Sequence, residues 1–137
     1  MNVLVDSAIW SLVLRRRSAQ LNKDQVALRD AFVELVEEGR AKVIGAVRQE
    51  VLSGIRTTDS FEKVREYLRH FLDEPVLVED HEKAAEVSNA CMAAGIAASA
   101  IDALICAVAI RRGWQVYTTD RDFQRYAKVV PLTLFTS

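Results

Sequence analysis

Short apolar runs alternate along the chain with longer stretches in which apolar residues recur every three or four positions. The short runs predict strands, because a strand buried on both faces is apolar throughout; they fall at residues 3–5, 41–45, 76–78 and 114–118, with a last one within 129–135. The longer stretches predict helices at 7–17, 24–38, 46–55, 60–73, 81–94 and 100–112, followed by a short helix near Asp120. This alternation favours a single α/β domain over residues 1–137, with a parallel sheet covered by helices on both faces.

One long apolar stretch, Ala93–Gly113, carries a single charge before its basic end, the carboxylate of Asp102. The stretch is nearly long enough to span a membrane. However, Asp102 near its centre would cost about 2.5–3.5 kcal/mol in a bilayer, and Gly95 and Ser99 invite a break in the helix. Two helices that meet near Ser99, the second buried in a protein core, fit the stretch better. We therefore expect no membrane association.

Composition narrows the functional classes only slightly. The formal net charge of −1 at pH 7 argues against a general nucleic-acid coat protein, although the arginines are clustered enough for a local basic patch. The two cysteines, Cys91 and Cys106, lack metal-ligand spacing and predict small buried thiols in a reducing compartment. The chain opens directly into an apolar run without a basic leader. Together these features predict a cytoplasmic protein.

Five acidic residues follow the predicted strands or begin the helices after them. Ligands of parallel α/β sheets bind beyond the carboxyl ends of the strands, so these carboxylates can converge on one rim of the sheet. They are Asp6, Glu50, Asp102, Asp120 and Asp122.

Each acid also has a purely structural interpretation. Asp102 fits a capping box with Ser99, Asp122 fits one with Thr119, and Asp6 or Asp120 could cap a helix. Glu50 could point to water, although the nearby Gly54, which we expect inside the same helix, suggests a close approach.

Taken together, the acids are harder to explain structurally, because four or five carboxylates on one rim repel one another. A divalent cation would compensate them, and oxygen-only ligands favour Mg²⁺, with Mn²⁺ also possible. His70 and His81 lie in unrelated charged surroundings and predict solvated side chains. The chain has neither GxxxxGK[ST] nor GxGxxG, and its serines lack a plausible histidine partner for a catalytic triad.

Three segments, VLVDSAIW, RQEVLSGI and SAIDALICAVAIRRGWQVYTTDRDF, resemble a PIN-domain ribonuclease of the VapC toxin type. The resemblance covers essentially the whole chain. It implies a three-layer α/β/α sandwich with a short, mainly parallel central sheet. It also implies a metal-dependent endoribonuclease, the toxin of a toxin–antitoxin pair, that hydrolyses RNA phosphodiester bonds.

The same resemblance implies roles for individual residues. The catalytic acids would be Asp6, Glu50, Asp102 and Asp120, and the metal would be held by Asp6, Asp102, Asp120 and Asp122. Ser7 and Thr118 match the small hydroxyl positions beside the first and fourth acids.

Further partners follow from the resemblance and from the basic residues near the rim. The resemblance implies a VapB-like antitoxin, whose C-terminal segment would lie over the groove of the early helices, and a homodimer. Arg48, Arg121 and Arg125 are candidates to hold flanking RNA phosphates. Trp10 could stack on a base, but core packing is the stronger expectation.

Two other functions stay open at this stage. One is an inactive PIN module that binds RNA or protein without cutting. The other is a phosphatase or receiver-type domain built around Asp6, but a phosphatase of the haloacid-dehalogenase kind would have DxD here, and this chain has Asp6-Ser7-Ala8. A receiver domain would need a lysine near the last strand, and Lys128 is poorly placed for it.

Overall fold

The central strand of the sheet is the first one in the chain. In the computed structural model, which describes residues 1–137 apart from the side chain of Ser18, β1 (Val3–Val5) is buried along its whole length. β2 (Ala41–Lys42) pairs with one edge of β1, β3 (Gln115–Tyr117) pairs with the other edge, and β4 (Thr133–Leu134) pairs with β3. All pairs are parallel, and the order is β2-β1-β3-β4.

Seven α-helices connect these strands within the described chain. Their bounds are α1 Ser7–Arg15, α2 Lys23–Glu37, α3 Gly45–Leu52, α4 Thr58–Leu68, α5 Val78–Ala93, α6 Ala100–Arg112 and α7 Asp122–Tyr126, and a 3₁₀ turn covers Ser18–Gln20. α1 packs on α2, α3 and α4, whereas α5 packs on α6, which contacts β1 and β3. The fold is a three-layer α/β/α sandwich around a parallel sheet, as the sequence predicts.

Trp10 lies in the core rather than on a binding surface. Its side chain is fully buried, and its indole N–H donates a 3.0 Å hydrogen bond to the Val5 carbonyl. Phe32 and Phe71 meet its ring edge to face, with ring centroids 4.9 and 5.0 Å away. The core-packing expectation for Trp10 is confirmed, and a buried ring has no face to offer to a base.

The strand predicted at 76–78 is wrong. Residues 76–77 are not in a strand, and Val78 is the first residue of α5. A single parallel bridge joins Val43 to Asp73 just upstream. Apolar runs of three residues cannot distinguish a strand from an extended helix entry, and here Asp80 accepts the Leu77 backbone N–H at 2.8 Å and starts the helix.

The helix predicted at 46–55 is shorter than expected, and this changes the interpretation of Gly54. The helix α3 ends at Leu52. Gly54 lies beyond it with φ +85°, and a Cβ placed there would meet nothing within 4 Å. The glycine serves a left-handed turn, so our expectation of a glycine within the helix that permits a close approach is wrong.

The long apolar stretch divides into α5 and α6, as the sequence predicts. Gly95 takes φ +78° between the two helices, and the Ser99 side chain accepts the Asp102 N–H and caps α6. Within the described residues, no helix is both long and apolar enough to cross a bilayer.

A fully buried carboxylate, Asp80, ties α5 to the end of α6. Arg112 donates to both of its oxygens at 2.8 and 2.9 Å, and Arg111 donates to one of them. These hydrogen bonds, above all those from Arg112, hold the pKa of Asp80 well below its ordinary value despite its burial. The two arginines therefore serve the fold, a role that their position at a predicted helix end did not indicate.

Replacing Asp80 by Ala should lower the free energy of unfolding by about 3–5 kcal/mol, because it removes the buried carboxylate that two arginines share. Arg112 would keep only its longer ion pair with Glu74, at 3.7 Å. Urea unfolding at pH 7 measures this, with Asp73→Ala as the control. Asp73 makes an ion pair with Arg48 but is more exposed, so its loss should cost about 0–1 kcal/mol. Equal losses in the two variants would contradict the structural role of Asp80.

Candidate functional site

The strand order creates a crevice between β1 and β3. The chain leaves β1 toward β2 on one side, and β3 lies on the other side, so the connections diverge at the carboxyl ends of β1 and β3. Such a switch point is where parallel α/β sheets place their ligands. Val5 is paired with Tyr117, and this register sets Asp6 beside Thr118, one residue past each strand.

Asp6 is held by neutral donors on both of its oxygens. Oδ1 accepts the Ser7 backbone N–H at 2.8 Å, and Oδ2 accepts the Thr118 hydroxyl at 2.7 Å. The Thr118 oxygen in turn accepts the Asp120 N–H at 3.0 Å. Asp6 is therefore a helix cap, as the structural interpretation allows, and at the same time a member of a hydroxyl-linked group.

Glu50 joins the same group from α3. The Ser7 hydroxyl donates a hydrogen bond to Glu50 Oε1 and also lies 3.4 Å from Asp6 Oδ1. Ser7 therefore links the acid of α3 to the acid that follows β1. Glu50 itself is exposed.

Asp102 enters the crevice from the first turn of α6. Its backbone N–H donates to the Ser99 hydroxyl at 3.1 Å, so Ser99 caps α6. The other half of the predicted capping box, a bond from the Ser99 N–H to the Asp102 carboxylate, is not formed among the described residues. Its carboxylate has a separate partner, since Asp102 Oδ2 accepts the Tyr126 hydroxyl at 2.7 Å. Capping uses the backbone of Asp102 and leaves its side chain available at the crevice.

Asp120 and Asp122 complete the acidic group after β3. Asp120 Oδ1 accepts the Asp122 N–H at 2.9 Å, a local turn that replaces the expected capping by Thr119. One carboxylate oxygen each from Asp102, Asp120 and Asp122 lies within 4.8 Å of the others. Asp6 and Glu50 are outside this closest trio. Both nevertheless lie near enough for their like charge to act on the neighbouring acids.

Positive charge is almost absent from this group. Among the described side chains, no lysine or arginine forms an ion pair with Asp6, Glu50, Asp102 or Asp120. Asp122 alone has such a partner, Arg125 at 2.9 Å, and both are largely exposed. The carboxylates are held in place by neutral hydroxyl and amide donors that leave their mutual repulsion uncompensated.

The electrostatic consequence is visible in the pKa values of Asp6 and Asp102. Burial raises the pKa of Asp6 above its ordinary value of 3.8, and the charges of Asp102 and Glu50 add to the shift, against hydrogen bonds from Thr118 and Ser7. Burial also raises the pKa of Asp102, with like charge from Asp120 and Glu50. The ionised crevice is therefore a destabilised arrangement that a bound cation would relieve.

The three arginines proposed for RNA occupy different settings. Arg48 is engaged with the Asp73 carboxylate at 2.9 Å and the Phe71 carbonyl at 2.6 Å. Arg125 pairs with Asp122. Arg121, next to Asp120 and exposed, is without a carboxylate partner among the described residues.

Sequence reasoning missed one residue of the site, Tyr126. It lies 24 residues after Asp102 and outside the three segments that carry the resemblance. The sequence does place a tyrosine four residues after Asp122, on the predicted short helix. It does not show that this side chain contacts α6, because that depends on how the two helices pack.

The two histidines and two cysteines form no hydrogen bond or ion pair with these acids among the described residues. His70 and His81 are exposed, as predicted. Cys91 and Cys106 are free and buried, also as predicted. Burial raises the pKa of the Cys106 thiol to about 12, with a further contribution from the charges of Asp102 and Asp6, and keeps the thiol protonated and unreactive.

Replacing Asp102 by Asn should stabilise the metal-free protein at neutral pH. The folded-state pKa of Asp102 is raised, so its ionisation makes folding less favourable as the pH rises through that pKa, and the effect is absent in acid, where both states are protonated. Asn keeps an acceptor for Tyr126 without the charge. We expect a melting temperature about 2–6 °C higher in EDTA at pH 7.

Thermal unfolding from pH 3.5 to 8 in EDTA measures the difference. It should shrink toward the acid end, and Asp30→Asn, which alters an exposed acid on α2, should show little change at any pH. Equal melting temperatures for the wild type and Asp102→Asn at pH 7 would contradict the proposed repulsion among the acids.

The chain is similar to known proteins in its family signature and in its fold. The PIN domain family matches residues 3–129, whereas no curated protein sequence matches the chain. A chain of FitAcB from Neisseria gonorrhoeae is structurally similar, with TM-score 0.73 and 19% identity over 98% of this chain and 96% of that one.

Two further solved structures share the fold at low identity. VapBC2 from Rickettsia felis, solved bound to a DNA fragment from its promoter, has TM-score 0.71 and 11% identity, with 98% of each chain covered. VapBC-5 from Mycobacterium tuberculosis, a member of the VapBC family of toxin-antitoxin systems, has TM-score 0.68 and 16% identity, with both chains fully covered. With a family match across nearly its whole length and the acidic crevice at the switch point of its sheet, the chain belongs to the PIN domain family.

Proposed function

We propose that this PIN-domain chain is a metal-dependent endoribonuclease and the toxin of a VapBC-type toxin–antitoxin pair. The observation that carries the proposal is the group of acids at the crevice, held by hydroxyl and amide donors with little cationic compensation. A domain that used these acids only to cap helices would have no need to bring them from four segments to one place.

The donor set fits a divalent cation. All the candidate ligands are carboxylate oxygens, which suit Mg²⁺ or Mn²⁺ rather than zinc or copper. The ion would be held by Asp6, Asp102, Asp120 and Asp122. Glu50, exposed beside Ser7, would contact the ion or its water shell.

The bound ion would lower the pKa of a water molecule and offset the charge that develops on the phosphodiester. The residues of the chain supply position. Thr118 and Ser7 fix the orientation of Asp6 and Glu50, and the cap of α6 fixes the backbone of Asp102. The proposed proton transfer needs no histidine, and both histidines are exposed.

An RNA strand is the substrate that we propose for this crevice. Arg121 is the best placed of the three candidate arginines, since its neighbour Asp120 is a proposed ligand and its guanidinium is not engaged by a carboxylate. Arg48 and Arg125 would first have to release Asp73 and Asp122. Arg121 would add affinity for phosphates that flank the scissile bond, without sequence specificity.

The antitoxin proposal is supported by a groove beside α1 and α2. A cavity of about 670 Å³ there is lined by apolar and basic side chains, among them Leu12, Leu28, Arg15 and Arg16, and it reaches Thr119 next to Asp120. A VapB-like C-terminal segment laid in this groove could extend to the acids. Two of the similar structures are VapBC proteins by name, which supports an antitoxin partner. The proposed toxin would act in the cytoplasm as a homodimer.

Asp102→Asn should lose Mg²⁺-dependent RNA cleavage by at least about 100-fold, because it removes one ligand of the ion that stabilises the transition state. Gel analysis of a structured RNA incubated with Mg²⁺ or with EDTA measures this. Asp30→Asn is the matched control and should cleave like the wild type. Sequencing the RNA ends would then identify the substrate.

Cleavage by Asp102→Asn at the wild-type rate, or wild-type cleavage that persists in EDTA, would overturn the proposal. A wild-type protein that binds RNA but neither cuts it nor binds Mn²⁺ would instead favour the inactive PIN module.

A further inference from the structure

Among the described side chains, only Tyr126 forms a hydrogen bond from α7 to the Asp102 carboxylate of α6. Its hydroxyl donates to Asp102 Oδ2 at 2.7 Å. The ring is about 1% exposed and packs edge to face on Phe123, with centroids 5.1 Å apart and planes at 72°. The packed ring aims a single, buried hydroxyl at the carboxylate.

The geometry matters because an aspartate carboxylate turns easily about its last bond. This terminal torsion is broad and roughly two-fold, so an unattached carboxylate samples many orientations. A hydrogen bond to one oxygen fixes the plane of the group. The Tyr126 bond occupies part of Oδ2 and leaves Oδ1 of Asp102 for other partners.

The same helix carries one of the acids. α7 begins at Asp122 and ends at Tyr126, so the bond to Asp102 also fixes where Asp122 lies relative to α6. Asp102, Asp120 and Asp122 offer one carboxylate oxygen each within 4.8 Å of one another. Asp120 and Asp122 are joined by their own local turn, and Tyr126 joins Asp102 to the helix that carries Asp122.

We propose that Tyr126 is a positioning residue that prearranges Asp102 and Asp122 for a divalent cation, and that its hydroxyl sets the affinity of the site for that cation. The inference rests on the proposed function, because the ligand is the metal of that site. Groups that orient metal-ligating side chains typically contribute 10–100-fold to metal affinity.

The chain offers a matched control in a second buried tyrosine. Tyr117 is about 2% exposed, and its hydroxyl donates to the Leu28 carbonyl of α2 at 2.8 Å, rather than to a carboxylate. Tyr126→Phe and Tyr117→Phe each delete one oxygen and one partly buried hydrogen bond. The two variants should lose similar stability. They differ in the hydrogen-bond acceptor that loses its donor, which is a carboxylate of the site in one case and a backbone carbonyl in the other.

Isothermal titration with Mn²⁺ and electron paramagnetic resonance of the bound ion test the inference on the full-length variants. We expect the Kd for Mn²⁺ to rise about 10–100-fold in Tyr126→Phe and to stay within about twofold of wild type in Tyr117→Phe. The cleavage rate of Tyr126→Phe should recover when Mn²⁺ is raised to saturation, because the defect lies in affinity. Circular dichroism at the titration temperature verifies that both variants are folded.

Three results would count against this role. An unchanged Kd in Tyr126→Phe would overturn the inference while leaving the proposed function intact. Equal weakening in both variants would overturn it too, since the loss would then follow from general destabilisation. A wild-type protein that binds no Mn²⁺ would overturn the proposed function and the inference with it.

Discussion

Repulsion among carboxylates at the end of the central strands is the constraint around which this structure is organised. Asp6, Glu50, Asp102 and Asp120 are gathered at one crevice without a lysine or arginine partner among the described side chains. Their positions are maintained by hydroxyls of Ser7, Thr118 and Tyr126, which orient negative charge without neutralising it. The fold fixes the positions of these carboxylates but does not neutralise their charge. A bound cation would do so.

Packing in the rest of the fold supplies the stability that offsets the repulsion among these acids. The buried strands β1 and β3 are joined in a register that forces Asp6 beside Thr118. The apolar body of α6 packs on the sheet and carries Asp102 in its exposed first turn. At the opposite end of that helix, Asp80 engages Arg111 and Arg112. The two ends thus treat carboxylates in opposite ways: Asp80 is paired with protein cations, whereas the half-buried Asp102 carboxylate accepts only a neutral hydroxyl.

The acids and the layered fold could be predicted from the sequence because both depend on local patterns. A carboxylate directly after an apolar strand, or in the first turn of an apolar helix, usually lies at the rim of the sheet, because the neighbouring residues are buried. The apolar run at 76–78 was misassigned because three residues carry no periodicity, and the decisive contact of Asp80 comes from arginines 31 and 32 residues later. Tyr126 escaped prediction for the same reason, since its role depends on how α7 lies against α6.

The central claim is that the crevice needs a cation and that these acids hold it. Crystals grown with Mn²⁺, measured at a wavelength that reveals its anomalous scattering, test this most directly. The account predicts anomalous density in the crevice, within coordination distance of carboxylate oxygens of Asp102 and Asp120 and of at least one of Asp6 and Asp122. A crevice without anomalous density at saturating Mn²⁺, with the same acids turned toward protein cations or bulk solvent, would contradict it.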